Sequence, residues 1–259
     1  MLGPIIGEIF GTFILILLGD GVVANVGLAP RLASTAYNWN TITIGWAFAV
    51  IVAVYVSAGV SGAHLNPAVT IALAAKRGFA WGKVVPYIIA QWVGAFLGAL
   101  GVYLTYGDGL RAAGVPNVWC TGPGSVFGQA FWGGATTAAS AGGYTPTGAI
   151  LTEIFGTAVL LWGILASGDS RNTGLINNIG PFLVGGTVLA VGLSLGGPSG
   201  YAINPARDFG PRVFGTLVGT QGLFNGIYWI IPIIGPIVGG LLGAFTYDWF
   251  VTAFLPAKK

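Results

Sequence analysis

Two short motifs of the same composition occur in the two halves of the chain. Each begins with Ser-Gly and reaches Asn-Pro-Ala a few residues later, and the two copies span 61–68 and 199–206. Asn is a favoured N-cap, because its side-chain oxygen accepts a backbone N–H of the first helical turn. Pro is tolerated at the first helical position. Each motif therefore predicts extended backbone, able to offer its carbonyls to a polar solute, before a helix whose start carries about half a positive charge.

The elements that position these motifs are predicted to be membrane helices. Of the 259 residues, 54% are hydrophobic and only 7% are charged, whereas soluble domains carry about 25% charged residues. The net charge of +3 is small and scattered, so no nucleic-acid partner is predicted. The single Cys120 excludes an intrachain disulfide and a multi-cysteine metal site. No catalytic residues, cofactor or metal site are predicted, because no nucleophile–base pair, metal cluster or phosphate loop stands out.

Six apolar stretches are long enough to cross a bilayer, which needs about 20 apolar residues per helix. They are roughly 5–27, 41–60, 84–105, 148–167, 175–195 and 229–254. Two shorter pieces, 66–75 and 204–214, begin at the Asn-Pro-Ala motifs and predict half-helices that enter the membrane from one side. Non-helical backbone at that depth is allowed only where it faces protein or a water-filled cavity. The motifs therefore predict a pore.

The two halves of the chain repeat each other. The run Glu-Ile-Phe-Gly-Thr that starts at Glu8 returns at Glu153, a separation close to that between Asn66 and Asn204. Because three spans per half is an odd number, the second half is predicted to be inverted relative to the first. We expect one all-α membrane domain with six transmembrane helices and two re-entrant half-helices. Repeat one spans about 1–105, a connection without predicted structure about 106–147, and repeat two about 148–259.

Charges and glycines indicate orientation and packing. Positive residues are more frequent in the segments that face the cytoplasm if both termini are cytoplasmic, which favours that orientation. These cations are Lys76, Arg77, Lys83, Arg171, Lys258 and Lys259, against Arg31 and Arg111 in outer loops and Arg207 and Arg212 in or beside the second half-helix. Glycines spaced four apart predict close helix crossings, and they are Gly7/Gly11, Gly94/Gly98 and Gly239/Gly243. The connection contains Phe127, Phe131 and Trp132, which are expected to be interfacial anchors.

These motifs resemble the aquaporin superfamily, the major intrinsic proteins, over nearly the whole chain. The second motif continues as Arg207-Asp208, and Asp after that Arg is typical of the aquaglyceroporin branch, the glycerol facilitators; Arg212 and Pro232-Ile233 also fit. The resemblance implies a right-handed aquaporin-like bundle, a homotetramer in the plasma membrane, and passive diffusion of small neutral solutes with exclusion of ions and protons. Glycerol and water are the expected solutes, and the sequence leaves open urea, dihydroxyacetone, lactic acid and hydrogen peroxide.

The same resemblance implies a selectivity filter formed by Trp46, Gly192, Tyr201 and Arg207. The two aromatic rings would supply an apolar wall and Arg207 would donate to solute hydroxyls. Water-selective relatives typically have His where this chain has Gly192, so a wider bore is expected; bacterial glycerol facilitators usually have Phe where it has Tyr201. The motif residues of the pore are Asn66, Pro67, Ala68, Asn204, Pro205 and Ala206. The pore carbonyls are those of Gly62, Ala63, His64, Leu65, Gly200, Tyr201, Ala202 and Ile203.

Several of these residues have a second interpretation. Arg207 could be a structural residue paired with Asp208, and Trp46 could be a core or interfacial residue. Asp208 is expected to be a structural partner for backbone donors in a loop or at a helix start. His64 could form a structural hydrogen bond or act as a pH gate.

Two acids inside predicted spans leave two functions open. Glu8 and Glu153 could accept backbone N–H bonds from the re-entrant segments and fix them, or they could relay protons. A proton relay implies a proton-coupled transporter in place of a passive channel. A water-selective channel is the third possibility, favoured if Tyr201 closes the filter.

Overall fold

The computed structural model describes residues 1–28, 37–114, 117–122, 144–172 and 178–256. Within these ranges the regular structure is entirely helical. The α-helices are α1 (Leu2–Gly27), α2 (Trp39–Ser61), α3 (Pro67–Lys76), α4 (Val84–Ala112), α5 (Pro146–Gly168), α6 (Gly180–Leu195), α7 (Pro205–Leu217) and α8 (Ile231–Phe250). Short 3-10 turns lie at Trp81–Lys83, Tyr228–Ile230 and Thr252–Phe254. In length and composition, α1, α2, α5 and the runs Trp81–Ala113 and Tyr228–Phe254 are sufficient to cross a membrane.

The remaining predicted span, 175–195, is shorter than expected in the described part of the chain. Its helix α6 has 16 residues and begins at Gly180, and residues 173–177 lie outside the described ranges. At 1.5 Å per residue α6 is about 24 Å long, less than the ~30 Å of a hydrocarbon core. Pro181 lies in its first turn, where the missing N–H is tolerated.

The two half-helices begin at the predicted motifs. Asn66 caps α3, with its side-chain oxygen accepting the Ala68 N–H at 2.9 Å. Asn204 caps α7 in the same way, accepting the Ala206 N–H at 2.9 Å. With 10 and 13 residues, α3 and α7 are too short to span a bilayer. The predicted half-helices are confirmed.

Glycines let the long helices approach closely. A Cβ at Gly94 in α4 would lie 2.3 Å from the Ile9 carbonyl oxygen of α1. A Cβ at Gly239 in α8 would lie 2.2 Å from the Ile154 carbonyl oxygen of α5. No side chain fits at such distances, so α1 packs directly on α4 and α5 directly on α8. The predicted crossings are confirmed, and Gly7 supports a third against Ser61 of α2.

Helix α4 extends past its predicted end at residue 105 to Ala112. The extension contains two glycines, yet Gly107 lies under the Tyr103 ring and Leu110 is buried. Burial of this last turn outweighs the poor helix propensity of glycine, which costs about 1 kcal/mol per residue. Sequence alone could not reveal this packing.

A described part of the connection, residues 117–122, also packs against the helices. The Asn117 side chain accepts the Trp119 N–H at 3.0 Å and donates to the Cys120 carbonyl at 2.8 Å, and Trp119 donates from its ring to Thr220 at 3.0 Å. Burial raises the pKa of the Cys120 thiol to about 12, so this thiol stays protonated. The aromatic anchors Phe127, Phe131 and Trp132 lie outside the described residues.

The cations of the predicted cytoplasmic end pair with an acid of the last helix. Lys76 and Arg77 lie 3.0 and 2.7 Å from the Asp248 carboxylate, which ties the end of α3 to the end of α8. Arg171 pairs with Asp169 at 2.6 Å. Three other cations used in the orientation prediction lie outside the described residues: Arg31, Lys258 and Lys259.

Candidate pore and constriction

Glu8 of α1 holds the first re-entrant segment. Its carboxylate accepts the backbone N–H groups of His64 at 2.9 Å and Leu65 at 2.7 Å. It also accepts the Ser61 hydroxyl at 2.6 Å and the Gln91 amide at 2.7 Å. Glu8 is fully buried, and four donors satisfy it. A proton relay through this carboxyl would have to break these bonds.

Glu153 of α5 holds the second re-entrant segment in the same way. Its two oxygens accept the N–H groups of Ala202 at 2.8 Å and Ile203 at 2.6 Å. Glu153 is also fully buried. The two acids that match in the repeated sequence therefore match in their contacts.

A tyrosine outside each re-entrant segment supports its first residue. Tyr87 of α4 donates its hydroxyl to the Ser61 carbonyl at 2.9 Å. Tyr228, just before α8, donates to the Ser199 carbonyl. The Tyr228 hydroxyl also lies 2.9 Å from the Thr121 hydroxyl, which joins segment 117–122 to this site.

The re-entrant backbone is strained at equivalent positions. Ala63 and Leu65 have φ of 49° and 53°, and Tyr201 and Ile203 have φ of 41° and 45°. The left-handed region costs a residue with a Cβ about 1–2 kcal/mol. Such strain persists only where the surroundings over-determine the backbone. The bonds from Glu8 and Glu153 provide that constraint.

The tips of the two half-helices reach each other. The Asn66 amide donates to the Ile203 carbonyl at 2.8 Å, and the Asn204 amide donates to the Leu65 carbonyl at 2.8 Å. Each asparagine keeps a second amide hydrogen, whereas one lone pair of each of these two carbonyls is used. The Leu65 and Ile203 carbonyls therefore have less capacity for a solute than the sequence suggested.

Two cavities meet at three side chains. The outer cavity, about 430 Å³, extends from Tyr144 and Thr121. The inner cavity, about 150 Å³, extends to Asn66 and Asn204. The residues that line both cavities are Trp46, Tyr201 and Arg207. This group, called the constriction below, separates the two cavities, and both half-helix tips line the inner one.

The constriction has one polar and two aromatic members. The Arg207 guanidinium carbon lies 3.9 Å from the centre of the Trp46 ring, close enough for a cation–π interaction. The Tyr201 ring packs edge-on against Trp39 at a centroid distance of 5.6 Å. The group therefore combines hydrogen-bond donors from Arg207 with the apolar ring faces of Trp46 and Tyr201.

Gly192 lies behind the constriction and is absent from the lining of both cavities. A Cβ at this position would lie 2.8 Å from Cζ of Tyr201 and 2.9 Å from Thr43. The Tyr201 ring therefore occupies the room that the missing side chain leaves. The structure thus places Gly192 behind Tyr201, whereas the sequence predicted that Gly192 lines the filter and widens the bore.

Asp208 pairs with Arg212, so the alternative pairing of Arg207 with Asp208 is wrong. The Arg212 Nε donates to Asp208 at 2.7 Å, and the Thr121 N–H donates to the other oxygen at 2.8 Å. For Arg207, the structure gives an ion pair with Asp20 of α1, at 3.9 Å. The sequence patterns did not single out Asp20, although a charged residue inside an apolar span is a signal of function.

His64 faces the inner cavity from a packed environment. Its Nδ1 lies 3.1 Å from the Thr70 hydroxyl. Its ring packs against Phe79 and Tyr87 at centroid distances of 4.6 and 5.1 Å. The structure thus gives His64 the structural hydrogen bond that was one of its two interpretations.

The family described as "Major intrinsic protein" matches residues 1–247 of this chain. The chain belongs to the major intrinsic protein family. Among similar proteins, a "Probable glycerol uptake facilitator protein" from Thermotoga maritima is 46% identical over 94% of this chain and 97% of its own. "Glycerol uptake facilitator protein 3" from Lactiplantibacillus plantarum is 42% identical over 94% of this chain and 95% of its own.

A solved structure agrees with the fold of this major intrinsic protein. The aquaglyceroporin from Plasmodium falciparum superposes with a TM-score of 0.85 at 31% identity, covering 97% of both chains. The predicted family resemblance and the all-α membrane fold are confirmed.

Proposed function

We propose that this chain is a passive channel that conducts glycerol and other small uncharged solutes, with water, and excludes ions and protons. One observation carries the proposal: Trp46, Tyr201 and Arg207 line both the outer and the inner cavity. A solute that passes between the cavities must therefore pass an amphipathic constriction. The names of similar proteins, glycerol uptake facilitators, support glycerol as the solute.

A polyol has hydroxyls along one edge and carbon along the other, which fits this constriction. Arg207 donates to hydroxyl oxygens, while the rings of Trp46 and Tyr201 accept the carbon edge. Beyond them, the free amide hydrogens of Asn66 and Asn204 donate in turn. Several weak sites in a row replace hydration without tight binding, which conduction requires.

The positive charges along the path oppose cations. Arg207 lines the passage, and the starts of α3 and α7 meet near its centre. Each helix start contributes about half a positive charge. An arginine together with half-helix dipoles is a known barrier to protons and cations, and aquaporin-type pores are the standard example.

Stopped-flow light scattering on proteoliposomes tests the proposal. In hyperosmotic glycerol, vesicles with the protein should shrink and then re-swell faster than empty vesicles. Val188→Trp should abolish the difference, because Val188 lines the inner cavity. Val85→Trp is the matched control: Val85 is exposed on the outside of α4, so its substitution should leave the rate unchanged.

The other outcomes of this experiment are equally specific. Re-swelling no faster than empty vesicles would reject the glycerol channel. Fast water flux without glycerol flux would favour the water-selective alternative. Uphill accumulation driven by a pH gradient would favour the proton-coupled transporter. The same assay with urea, dihydroxyacetone, lactic acid and hydrogen peroxide ranks the remaining solutes.

We also propose a homotetramer in the plasma membrane with both termini in the cytoplasm. Family membership supports the tetramer, and the cluster of Lys76, Arg77 and Arg171 near one end of the bundle supports the orientation. Cross-linking in native membranes should give species up to four copies. A tag at either terminus should resist protease in intact cells. Digestion of both tags would show that the termini face the outside.

A further inference from the structure

Asp20 is the buried acid that the proposed mechanism leaves unexplained. Within the described ranges, four carboxylates are essentially inaccessible to solvent: Glu8, Asp20, Glu153 and Asp208. Three of them accept the hydrogen bonds given above. Both oxygens of Asp20 have no hydrogen-bond partner in the described part of the chain. Burying a charged group without partners is costly, so its presence requires an explanation.

Arg207 is similarly incomplete on the side that faces Asp20. Its Nη1 is buried and has no hydrogen-bond partner among the described residues. This same nitrogen lies 3.9 Å from Oδ1 of Asp20, which is longer than a hydrogen bond but within the range of an ion pair. The two unsatisfied groups therefore lie within ion-pair distance of each other.

Helix α1 is shaped to bring Asp20 to this place. A Cβ at the preceding Gly19 would lie 2.3 Å from the Trp46 ring, so α1 touches the ring directly. The guanidinium of Arg207 stacks on that ring at 3.9 Å. Trp46 therefore contacts α1 at Gly19 and Arg207 at its face, and Asp20 reaches the same guanidinium from the helix.

We propose that Asp20 is a positioning residue of the pore: its carboxylate is the counter-ion that orients the Arg207 guanidinium and offsets part of its positive charge. This inference rests on the proposed channel function and deepens it. The second buried arginine nearby, Arg212, already has its own acid in Asp208. Among the described residues, the buried charges on this side of the pore then form two ion pairs, Asp20 with Arg207 and Asp208 with Arg212.

Charge balance has a consequence for solute choice. An uncompensated guanidinium in a cleft with low-dielectric walls concentrates anions. A guanidinium held by a carboxylate behind it still donates hydrogen bonds into the passage, but it attracts anions much less. Asp20 thereby makes the constriction selective for neutral hydroxylated solutes over small anions.

The test measures glycerol and nitrate permeability in the same proteoliposomes. Asp20→Asn keeps the shape and removes the charge, and it should raise the ratio of nitrate to glycerol permeability roughly tenfold. Asp20→Glu should restore a ratio near that of the wild type. Thr12→Val is the matched control, because Thr12 is a fully buried residue of the same helix whose hydroxyl also has no partner among the described residues. The nitrate-to-glycerol ratio of this variant should not change. A loss of packing alone would lower both fluxes together.

A second pair of variants keeps the inference testable if Asp20→Asn does not fold. Arg207→Ala leaves Asp20 as an uncompensated buried charge, so adding Asp20→Asn should raise the thermal midpoint and the yield above those of Arg207→Ala alone. A double variant no more stable than Arg207→Ala would overturn the inference. An unchanged nitrate-to-glycerol ratio in a well-folded Asp20→Asn variant would do so as well.

Results that reject the role of Asp20 can be distinguished from results that reject the channel function. If wild-type vesicles re-swell no faster than empty ones, the proposed function is rejected. If the wild type conducts glycerol and Asp20→Asn conducts with the same selectivity, only the role of Asp20 is rejected.

Discussion

The re-entrant segment before α3 and the one before α7 are held by the same set of contacts. In each, a buried glutamate accepts two consecutive backbone N–H groups. In each, a tyrosine donates to the serine carbonyl that opens the segment. Each asparagine caps its own helix and donates to the other segment. The backbone frame of the pore is therefore duplicated.

The side chains that project from this frame are not duplicated. When the Asn-Pro-Ala motifs are aligned, Val69 corresponds to Arg207, Thr70 to Asp208 and Ala74 to Arg212. The second copy thus carries all the charges, and the first copy carries none at these positions. One copy therefore supplies the frame alone, while the other supplies the frame and the proposed selectivity. Substitutions of the residues that hold the backbone frame should destabilise the protein equally in both copies. Substitutions of the charged residues have no equivalent in the first copy.

The largest effect is expected from Arg212→Ala, which gives the second copy the residue of the first. Removing one member of a buried ion pair costs about 3–5 kcal/mol, so the thermal midpoint in detergent should fall strongly. Arg111→Ala is the matched control, since Arg111 forms an exposed pair with Asp108 worth at most about 1 kcal/mol. Equal midpoints for the two variants would contradict a structural role for the Arg212 pair.

Glu8→Gln and Glu153→Gln test whether the frame is symmetric. Each substitution replaces an accepting oxygen by an NH₂ group and leaves a buried N–H unsatisfied, at a cost of about 1–3 kcal/mol. We expect similar losses of stability in the two variants, measured by thermal unfolding. Asp108→Asn, at an exposed acid, serves as the control. A large loss in one copy and none in the other would show that the frame is not equivalent.

Gly192→Ala tests the constriction without touching a lining residue. Its Cβ would displace the Tyr201 ring, so glycerol permeability should fall about tenfold, a barrier of roughly 1.4 kcal/mol, and water permeability should fall less. Gly186→Ala is the control in the same helix, because a Cβ there meets nothing within 4 Å. An equal fall of both fluxes would argue that Tyr201 does not set solute size.

Of these substitutions, Tyr201→Phe should change stability least, and it should raise the thermal midpoint where the others lower it. The Tyr201 hydroxyl is buried without a hydrogen-bond partner among the described residues, and such a group costs about 1 kcal/mol or more. Its removal should raise the thermal midpoint slightly and leave glycerol permeability within about twofold. Tyr228→Phe should instead lower the midpoint, since that hydroxyl bonds to Ser199 and Thr121. A fall in glycerol flux for Tyr201→Phe would assign the hydroxyl a contact with solute.

Local chemistry explains which parts of the structure the sequence could predict. The starts of α3 and α7 follow from Asn followed by Pro, because capping depends on a few adjacent residues. The positions of Glu8 and Glu153 follow from the repeat. These features need no knowledge of which helices become neighbours.

Tertiary packing explains the parts that the sequence could not predict. The Tyr201 ring fills the room at Gly192 because α6 lies beside the second segment. Asp20 reaches Arg207 because Gly19 lets α1 touch Trp46. The last turn of α4 persists because Leu110 is buried there. Each feature depends on distances between residues far apart in the chain.

We expect solute to pass between the aromatic faces and the arginine of the constriction. A high-resolution structure determined in glycerol tests it most directly. We predict a glycerol molecule with hydroxyls within about 3 Å of the Arg207 guanidinium and its carbon edge against Trp46 and Tyr201. Glycerol ordered elsewhere in the subunit, with the constriction closed to it, would contradict passage through the constriction.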